Sequence, residues 1–344
     1  MGRSIIMNHI TSPELLAQIN PVNKRLTRDF VSYLRTLQKS EGTISSYTGN
    51  LNIAFTWNLM LNDNKSFIDW TKRNVIAFQC WLIDNNKNSP ARVKQIKSTL
   101  SSLSNYIENI LDDEYPNFRN IIIKIESPLS CAVLEKSIFT DEQINDLLDY
   151  LTRIGKYDRA CAVALARYSG RRKSELLRFK ISDFAPDRII CNGSLYKSGL
   201  IKTKGHGVNG KMMHCYVVVD KFKPYLDQWL EFRSHIGLKS EWLFPKIGDP
   251  TKSLSKSTLT SWADDFTEYL GVDFYWHALR HMCVTSFKKS GLPDSVIQAY
   301  IGWSSLDMVS VYSDMEVEDQ LSAYFGNSKC TEVRKDEIKF DCLA

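Results

Sequence analysis

The order of helical and strand-like patterns along this 344-residue sequence is the feature that most constrains its fold. Apolar residues recur with the spacing of amphipathic helices from residue 23 to about residue 123. The periodic segments are residues 24–38, 43–61, 72–85 and 91–111. Short runs typical of strands come later, at residues 188–191, 194–202 and 212–219, and helical spacing resumes after residue 255. The sequence therefore predicts a mainly α protein with a small antiparallel β-sheet.

The chain is long enough for two domains, because single hydrophobic cores stop growing at about 250 to 300 residues. Residues 126–136 lack periodicity and contain a proline, which makes them a candidate linker. A helix is expected directly afterwards, with Thr140 as its cap, Gln143 completing the capping box and Phe139 as the hydrophobic staple. We expect an N-terminal extension at residues 1–22, a helical domain at 23–125, a second domain at 137–326 and a polar tail at 327–344.

Composition argues against several classes of protein. No apolar run approaches the ~18 residues of a membrane span, and no signal peptide is evident at the N-terminus, so we expect a cytoplasmic, nucleoid-associated protein without a membrane partner. The eight cysteines include no CxxC pair, which argues against a zinc module or a disulfide scaffold. The 44 Lys and Arg against 39 Asp and Glu give a net charge of +5, which permits nucleic-acid binding without requiring it.

The segment SGRRKSEL, which starts at Ser169, places two arginines in a predicted turn. A helix is expected to end at Ser169 and Gly170, and the next to begin at Ser174, so that Glu175 can reach back and orient a guanidinium. Arginine suits phosphate because its planar fork makes bidentate, charge-assisted hydrogen bonds. Taken alone, however, the segment is better explained by a salt-bridged surface arginine.

The strand-rich region from residue 189 to residue 219 contains no Asp or Glu. Its basic side chains are Lys197, Lys202, Lys204, His206, Lys211 and His214. A basic, glycine-rich hairpin tip can insert beside a DNA backbone and deliver a lysine to it, whereas the alternative is a loose surface loop. The helix expected to begin after Ser89 is also basic, since Arg92, Lys94 and Lys97 precede its first acid. That face could bind phosphates or be a solvated surface.

The segment HALRH, which starts at His277, carries the most specific pattern. If residues 277–287 form one helix, His277, Arg280 and His281 share a face. Histidines four residues apart can chelate zinc, but Ala278 stands where the HExxH motif has its glutamate, so we expect no metal. Gly302 and Trp303 follow, and then Tyr312.

Together these segments resemble the tyrosine recombinase, or phage integrase, family. HALRH, then IGW, then a tyrosine nine residues after Trp303 is similar to the second signature box of the family. SGRRKSEL resembles the first box, T-G-x-R-x-S-E-L, so Arg172 rather than Arg171 matches the first catalytic arginine. Lys204 holds the place of the hairpin lysine, with Lys202 as the alternative. In the first domain, SEGTISSY from Ser40 is similar to the opening of the core-binding domain.

The resemblance implies a SAM-like, four-helix core-binding domain followed by an α+β catalytic domain. It implies that Tyr312 attacks the scissile phosphate and forms a 3′-phosphotyrosine, with a free 5′-hydroxyl as the other product. The roles of the remaining residues are also implied by the resemblance: Arg172 and Arg280 bind the non-bridging oxygens, Lys204 protonates the leaving oxygen, His277 assists proton transfer, His281 and Trp303 complete the site, and Glu175 holds Arg172.

The resemblance further implies double-stranded DNA with specific recombination sites as the partner, a homotetramer assembled on that DNA, and no cofactor. An accessory or directionality protein is an optional further partner. An amphipathic segment at residues 317–325 would dock on a neighbouring protomer or cap its own. An integrase of a mobile element or phage is the first choice, and a resolvase, an invertase or an inactive DNA-binding relative is the alternative. Two positions depart from the family: Arg171 replaces an apolar residue, and Trp303 stands where most members have histidine.

Overall fold

A computed structural model of the chain describes residues 10–129, 139–203 and 210–312, without the side chains of residues 310–312. Within these ranges the chain forms two compact units, one at residues 10–129 and the other from residue 139 onward. None of the helices in the described ranges is long and apolar enough to cross a membrane.

The first unit is helical. Its elements are α1 (Pro13–Gln18), α2 (Pro21–Thr36), α3 (Glu41–Leu61), α4 (Lys72–Asp84) and α5 (Pro90–Ile110), with 3₁₀ turns at Phe67–Asp69 and Ile122–Lys124. The four longer helices lie where the sequence predicted helices. The short α1 was not predicted and falls in the expected extension; Ser12 caps it by accepting a hydrogen bond from the Leu15 N–H.

The interior of the first unit combines aromatic packing with buried asparagines. Trp70 packs edge-on against Phe67, with ring centroids 5.1 Å apart, and its indole N–H donates to Asn58 Oδ1 at 3.0 Å. Asn23 donates to the Lys65 carbonyl at 3.0 Å and accepts from the Phe67 N–H at 2.7 Å. These amides satisfy backbone groups of the connection between α3 and α4, which is irregular apart from its 3₁₀ turn.

The second unit is α+β. Its helices are α6 (Asp141–Arg153), α7 (Tyr157–Ser169), α8 (Lys173–Leu176), α9 (Val219–His235), α10 (Lys256–Leu270), α11 (Trp276–Lys289), α12 (Asp294–Ile301) and α13 (Asp307–Tyr312). Its strands are β1 (Ile189–Ile190), β2 (Leu195–Thr203), β3 (Lys211–Val218), β4 (Pro245–Lys246) and β5 (Asp249–Ser253). β1, β2 and β3 form an antiparallel sheet in that order, which confirms the predicted sheet, while α9 and the β4–β5 hairpin were not predicted.

Local signals explain where α6 begins. The Thr140 hydroxyl accepts from the Gln143 N–H at 3.2 Å, and the Gln143 side chain accepts from the Thr140 N–H at 3.0 Å, so the predicted capping box is confirmed. Phe139 is buried and stacks on Phe274, with ring centroids 5.5 Å apart. The helix therefore starts with its first donors satisfied and with its preceding residue anchored in the core.

α7 is the central helix of this unit, because its middle, from Ala160 to Ala166, is buried on every side. It packs against α6, α9, α11 and β3. A second cluster of buried residues joins the last three helices and includes Cys283 of α11, Ile301 of α12 and Val309 of α13. The end of α7 therefore lies against the helices that carry the second signature box.

Candidate active site

Gly170 brings the first box against the second. It ends α7 in the left-handed region, with φ 60°, where glycine is favoured. A Cβ atom here would collide with the Ile301 side chain and would lie 3.2 Å from Cys283 Sγ. Both the backbone conformation and the packing therefore require glycine, and Arg171, the next residue, binds the end of α12.

Arg172 is held by Glu175, as the sequence suggested. Glu175 Oε1 accepts from Arg172 Nη1 and Oε2 accepts from the Arg172 N–H, each at 3.1 Å. The Glu175 side chain is 1% exposed, whereas that of Arg172 is 30% exposed. Burial by itself would raise the pKa of Glu175, but the Arg172 N–H and the charges of Arg172 and Arg171 outweigh it and lower that pKa. Glu175 is therefore an ionised anchor, and Arg172 is oriented with part of its surface open to solvent.

Arg280 joins the same turn from α11. It is fully buried, and its Nη1 donates to the Gly170 carbonyl at 2.7 Å. Its guanidinium carbon lies 5.0 Å from the centre of the Trp303 ring, which is a cation–π distance. The rings of His277 and His281 lie 5.5 Å apart on α11, with His277 exposed and His281 half-buried. One helix therefore presents the shared face that the i, i+3 and i+4 spacing predicted.

Tyr312 is the last residue of α13, and the structure does not describe its side chain. The helix itself packs against α11 and α12, with Val309 fully buried. The preceding turn is fixed by Gly302, with φ 75°, and by the N–H groups of Gly302 and Trp303, which both donate to the Gln298 carbonyl. The helix that carries the predicted nucleophile thus follows a tight turn that contains Trp303, which packs against Arg280.

The basic hairpin is fixed at its base. β2 has a bulge between Lys197 and Leu200, where the Gly199 N–H donates to Asp183 Oδ1 at 2.7 Å. Farther along the strand, the Lys202 carbonyl accepts from Arg178 Nη1. Lys204 lies outside the described residues, so the choice between Lys204 and Lys202 stays as the sequence left it.

The basic side chains of α5 belong to the first unit. Lys94 is exposed, and Arg92 Nη1 donates to Gln95 Oε1 at 2.8 Å. Lys97 donates to the Ile125 carbonyl and to Ser127 Oγ, and burial lowers its pKa although Glu126 opposes that shift. Lys97 therefore ties down the end of this unit, whereas Lys94 is open to solvent. A DNA-binding role for these residues stays a prediction.

Sequence motifs did not identify two arginines that support the site. Arg171, noted only as a departure from the family pattern, is buried and donates to the Tyr300 carbonyl. Arg178 holds the hairpin as described above. It lies directly after the first box, where the sequence alone does not distinguish it from an ordinary charged residue on a helix surface. In the described ranges no group of three or more His, Cys, Asp and Glu residues could hold a metal ion.

Two family models match the chain, one in each of the two units. The model described as the N-terminal SAM-like domain of phage integrases matches residues 26–117. The model of the phage integrase family matches residues 137–318, which is more than half of the chain and includes both boxes and the hairpin. The chain belongs to the phage integrase family. The resemblance to this family is therefore confirmed, as is the fold class predicted with it.

Curated relatives within this family share about a quarter of their residues with the chain. The SPbeta prophage-derived recombinase-like protein YomM of Bacillus subtilis is 27% identical over 294 residues, which cover 83% of this chain and 84% of the relative. The tyrosine recombinase XerA of Thermococcus kodakarensis is 26% identical over 296 residues, which cover 84% and 90%.

Solved structures share the fold of this phage integrase family member. A lambda integrase dimer bound to a COC′ core site is 19% identical, with a TM-score of 0.63, over 89% of this chain and 85% of that chain. The Tn1549 transposon integrase in complex with circular intermediate DNA is 14% identical, with a TM-score of 0.64, over 88% and 98%.

Proposed function

We propose that this phage integrase family member is a tyrosine site-specific recombinase that cuts and rejoins double-stranded DNA through a 3′-phosphotyrosine intermediate at Tyr312. The observation that carries the proposal is that the turn after α7 holds Arg172, which is bound to Glu175, and also binds Arg280, whose Nη1 donates to the Gly170 carbonyl and whose guanidinium lies against Trp303. Two guanidinium groups fixed by a buried carboxylate and a backbone carbonyl form a preorganised anion-binding site.

This arrangement suits a phosphodiester. Attack on phosphorus builds negative charge on the non-bridging oxygens, and fixed arginines stabilise that charge without reorganising during the reaction. Arg172 is the more accessible of the two, so it is the arginine that first meets the phosphate, while Arg280 supplies its charge from a buried position at the same turn. We propose that this pair supplies the positive charge for which other phosphoryl-transfer enzymes use metal ions.

The proposed reaction conserves the phosphodiester energy. The Tyr312 oxygen forms a bond to phosphorus as the bond from phosphorus to the 5′-oxygen breaks. The tyrosine proton passes to His277, and the leaving 5′-oxygen takes a proton from Lys204, or from Lys202 in the alternative assignment. Attack by the 5′-hydroxyl of another strand reverses these steps, so that rejoining requires no cofactor.

The partner in this proposal is duplex DNA that carries specific recombination sites, and the protein acts as a homotetramer on it in the cytoplasm, at the nucleoid. The relatives include a prophage-derived recombinase-like protein, and the structural neighbours include a transposon integrase in complex with circular intermediate DNA. We therefore favour an integrase of a mobile element, acting with or without a directionality protein, over a resolvase or an invertase. Residues 317–325 would link neighbouring protomers, but they lie outside the described residues.

The test is covalent trapping on nicked duplexes made from the DNA that flanks the gene. Wild-type protein is expected to give a detergent-resistant DNA adduct in the presence of EDTA, and Tyr312→Phe is expected to bind the DNA without forming one. Tyr269→Phe is the matched control, because it also loses one hydroxyl, which donates to Asp146 at 2.9 Å on the surface. Tight binding by the wild type without an adduct would favour an inactive DNA-binding relative.

A further inference from the structure

Arg171 is a charged residue in the interior of the catalytic unit. It is 1% exposed and is among the largest fully buried side chains of the described chain. An apolar residue at this position would fill the same space without the desolvation cost of a guanidinium. The contacts of Arg171 therefore require an explanation that packing alone does not supply.

The guanidinium of Arg171 binds the end of α12. Its Nη2 donates to the Tyr300 carbonyl, and its Nη1 lies 3.8 Å from Met213 Sδ on β3. Nε has no hydrogen-bond partner within the described residues. The last carbonyls of a helix lack intrahelical donors and carry partial negative charge, so a cation at this point stabilises the helix end.

Tyr300 is held by the same segment a second time. Its hydroxyl donates to the Tyr168 carbonyl at 2.7 Å, while its own carbonyl accepts from Arg171. The end of α7 and the turn after it therefore bind Tyr300 of α12 through both its side chain and its backbone. Three residues later Trp303 lies over Arg280, and Arg280 in turn donates to the Gly170 carbonyl.

These contacts link the first box to the second box at two points, through Arg171 and Tyr300 and through Arg280 and Gly170. We propose that Arg171 is a positioning residue: its hydrogen bond to the Tyr300 carbonyl sets the α12–α13 turn, and with it Trp303 and the helix of Tyr312, relative to Arg172. The inference rests on the proposed function, since it concerns the alignment of that same site. In this role Arg171 acts through the Tyr300 carbonyl and not through a contact with DNA.

Substitutions at position 171 can distinguish the effects of packing, charge and hydrogen bonding. Leucine at position 171 fills the space but leaves the Tyr300 carbonyl without its donor. Lysine retains the charge but places its donors on one rotatable ammonium nitrogen in place of the planar fork. A loss of alignment of about 1 Å can slow a reaction about 100-fold, so we expect Arg171→Leu to slow adduct formation about 10- to 100-fold and Arg171→Lys to recover part of that loss.

The first experiment measures single-turnover adduct formation at saturating nicked DNA, together with the Kd for DNA. The matched control is Arg233→Leu, because Arg233 is also buried and also binds carbonyls, those of Trp242 at 2.7 Å and Leu243 at 2.8 Å. Rates are expressed per folded molecule. Arg171→Leu is expected to lose rate with an unchanged Kd, whereas Arg233→Leu loses thermal stability and keeps the rate. Equal rates for Arg171→Leu and wild type, or equal losses in both leucine variants, would overturn the proposal.

A second measurement does not depend on activity. Hydrogen exchange is followed by mass spectrometry in wild type and Arg171→Lys, the variant that better preserves folding. Faster exchange at residues 300–309 with unchanged exchange in α6 supports the positioning role, and unchanged exchange at residues 300–309 would refute it. Failure of the wild type to form an adduct would instead count against the proposed function, while the exchange result still decides the role of Arg171.

Discussion

Replacing Glu175 by glutamine tests the support of Arg172 with almost no change of shape. The carboxylate accepts from the Arg172 N–H and from Arg172 Nη1, each at 3.1 Å. A glutamine has one acceptor oxygen, so its NH₂ group must face one of these two donors. Hydrogen bonds to charged groups contribute about 1.5–3 kcal/mol, and the partial exposure of Arg172 reduces this through solvent screening, so we expect Glu175→Gln to lower the free energy of unfolding by about 1–2 kcal/mol.

The same change should release the Arg172 guanidinium from its fixed orientation. Since 1.4 kcal/mol corresponds to a factor of ten, we expect single-turnover adduct formation to slow by about 10-fold or more. Asp141→Asn is the control, because it also breaks a carboxylate–arginine pair, that of Arg167 at 2.7 Å, without touching Arg172. Urea unfolding and adduct rates are measured for both variants. A wild-type rate in Glu175→Gln, or the same loss of rate in Asp141→Asn, would refute the reasoning.

The pH dependence of stability gives an independent reading of Glu175. Its pKa in the folded protein is lowered, so its ionisation stabilises the fold at neutral pH, and this contribution is lost as the pH falls through the folded pKa. Ordinary glutamate titrates near about 4.3, so the loss extends below that pH. The difference in thermal stability between wild type and Glu175→Gln should therefore shrink as the pH falls toward about 3. A difference that is constant with pH would contradict an ionised Glu175.

Three further predictions follow from other parts of the structure. Asn23→Ala removes the acceptor of the buried Phe67 N–H, so urea unfolding should show a loss of about 1–3 kcal/mol in the first unit, and an unchanged midpoint would contradict it. Burial raises the pKa of Cys283 to about 11, so brief alkylation at neutral pH followed by peptide mapping should label the exposed Cys80 and Cys191 and spare Cys283. DNA binding should weaken steeply as salt rises, because phosphate contacts release counterions, and a flat dependence would contradict them.

Much of the first unit was predictable because its signals are local. The caps Ser40, Thr71 and Ser89 each accept a hydrogen bond from their own helix, and apolar periodicity marks the buried faces. α1 has only six residues, and a helix of that length depends on tertiary contacts rather than on its own sequence. Its start at Ser12 was nevertheless marked by the same serine–proline signal as α5.

The second unit was less predictable where local and tertiary preferences disagree. α9 follows directly from β3, begins in a run of valines, has no side-chain cap and contains Pro224, so its sequence does not predict a helix. The β4–β5 hairpin is short and mostly exposed, without the alternation that marks a half-buried strand. Both elements depend on packing in the unit, such as that of Trp229 and Phe244 in its core.

The candidate site shows the same division. The shared face of His277, Arg280 and His281 follows from helical spacing and was predicted from the residues. The bond from Arg280 to the turn that carries Arg172 joins positions more than a hundred residues apart, and the family resemblance rather than any local pattern suggested it. Arg171 was recognised as unusual, but its bond to the Tyr300 carbonyl depends on the packing of α12 against the end of α7.

The most direct test of the central claim is to identify the covalent bond itself. The trapped complex is digested with protease and nuclease, and the nucleotide-bearing peptide is sequenced by mass spectrometry. The account predicts a single modified residue, Tyr312, joined to the 3′-phosphate of the cleaved strand, with a free 5′-hydroxyl on the other fragment. A nucleotide on another residue, or a link to the 5′-phosphate, would contradict it.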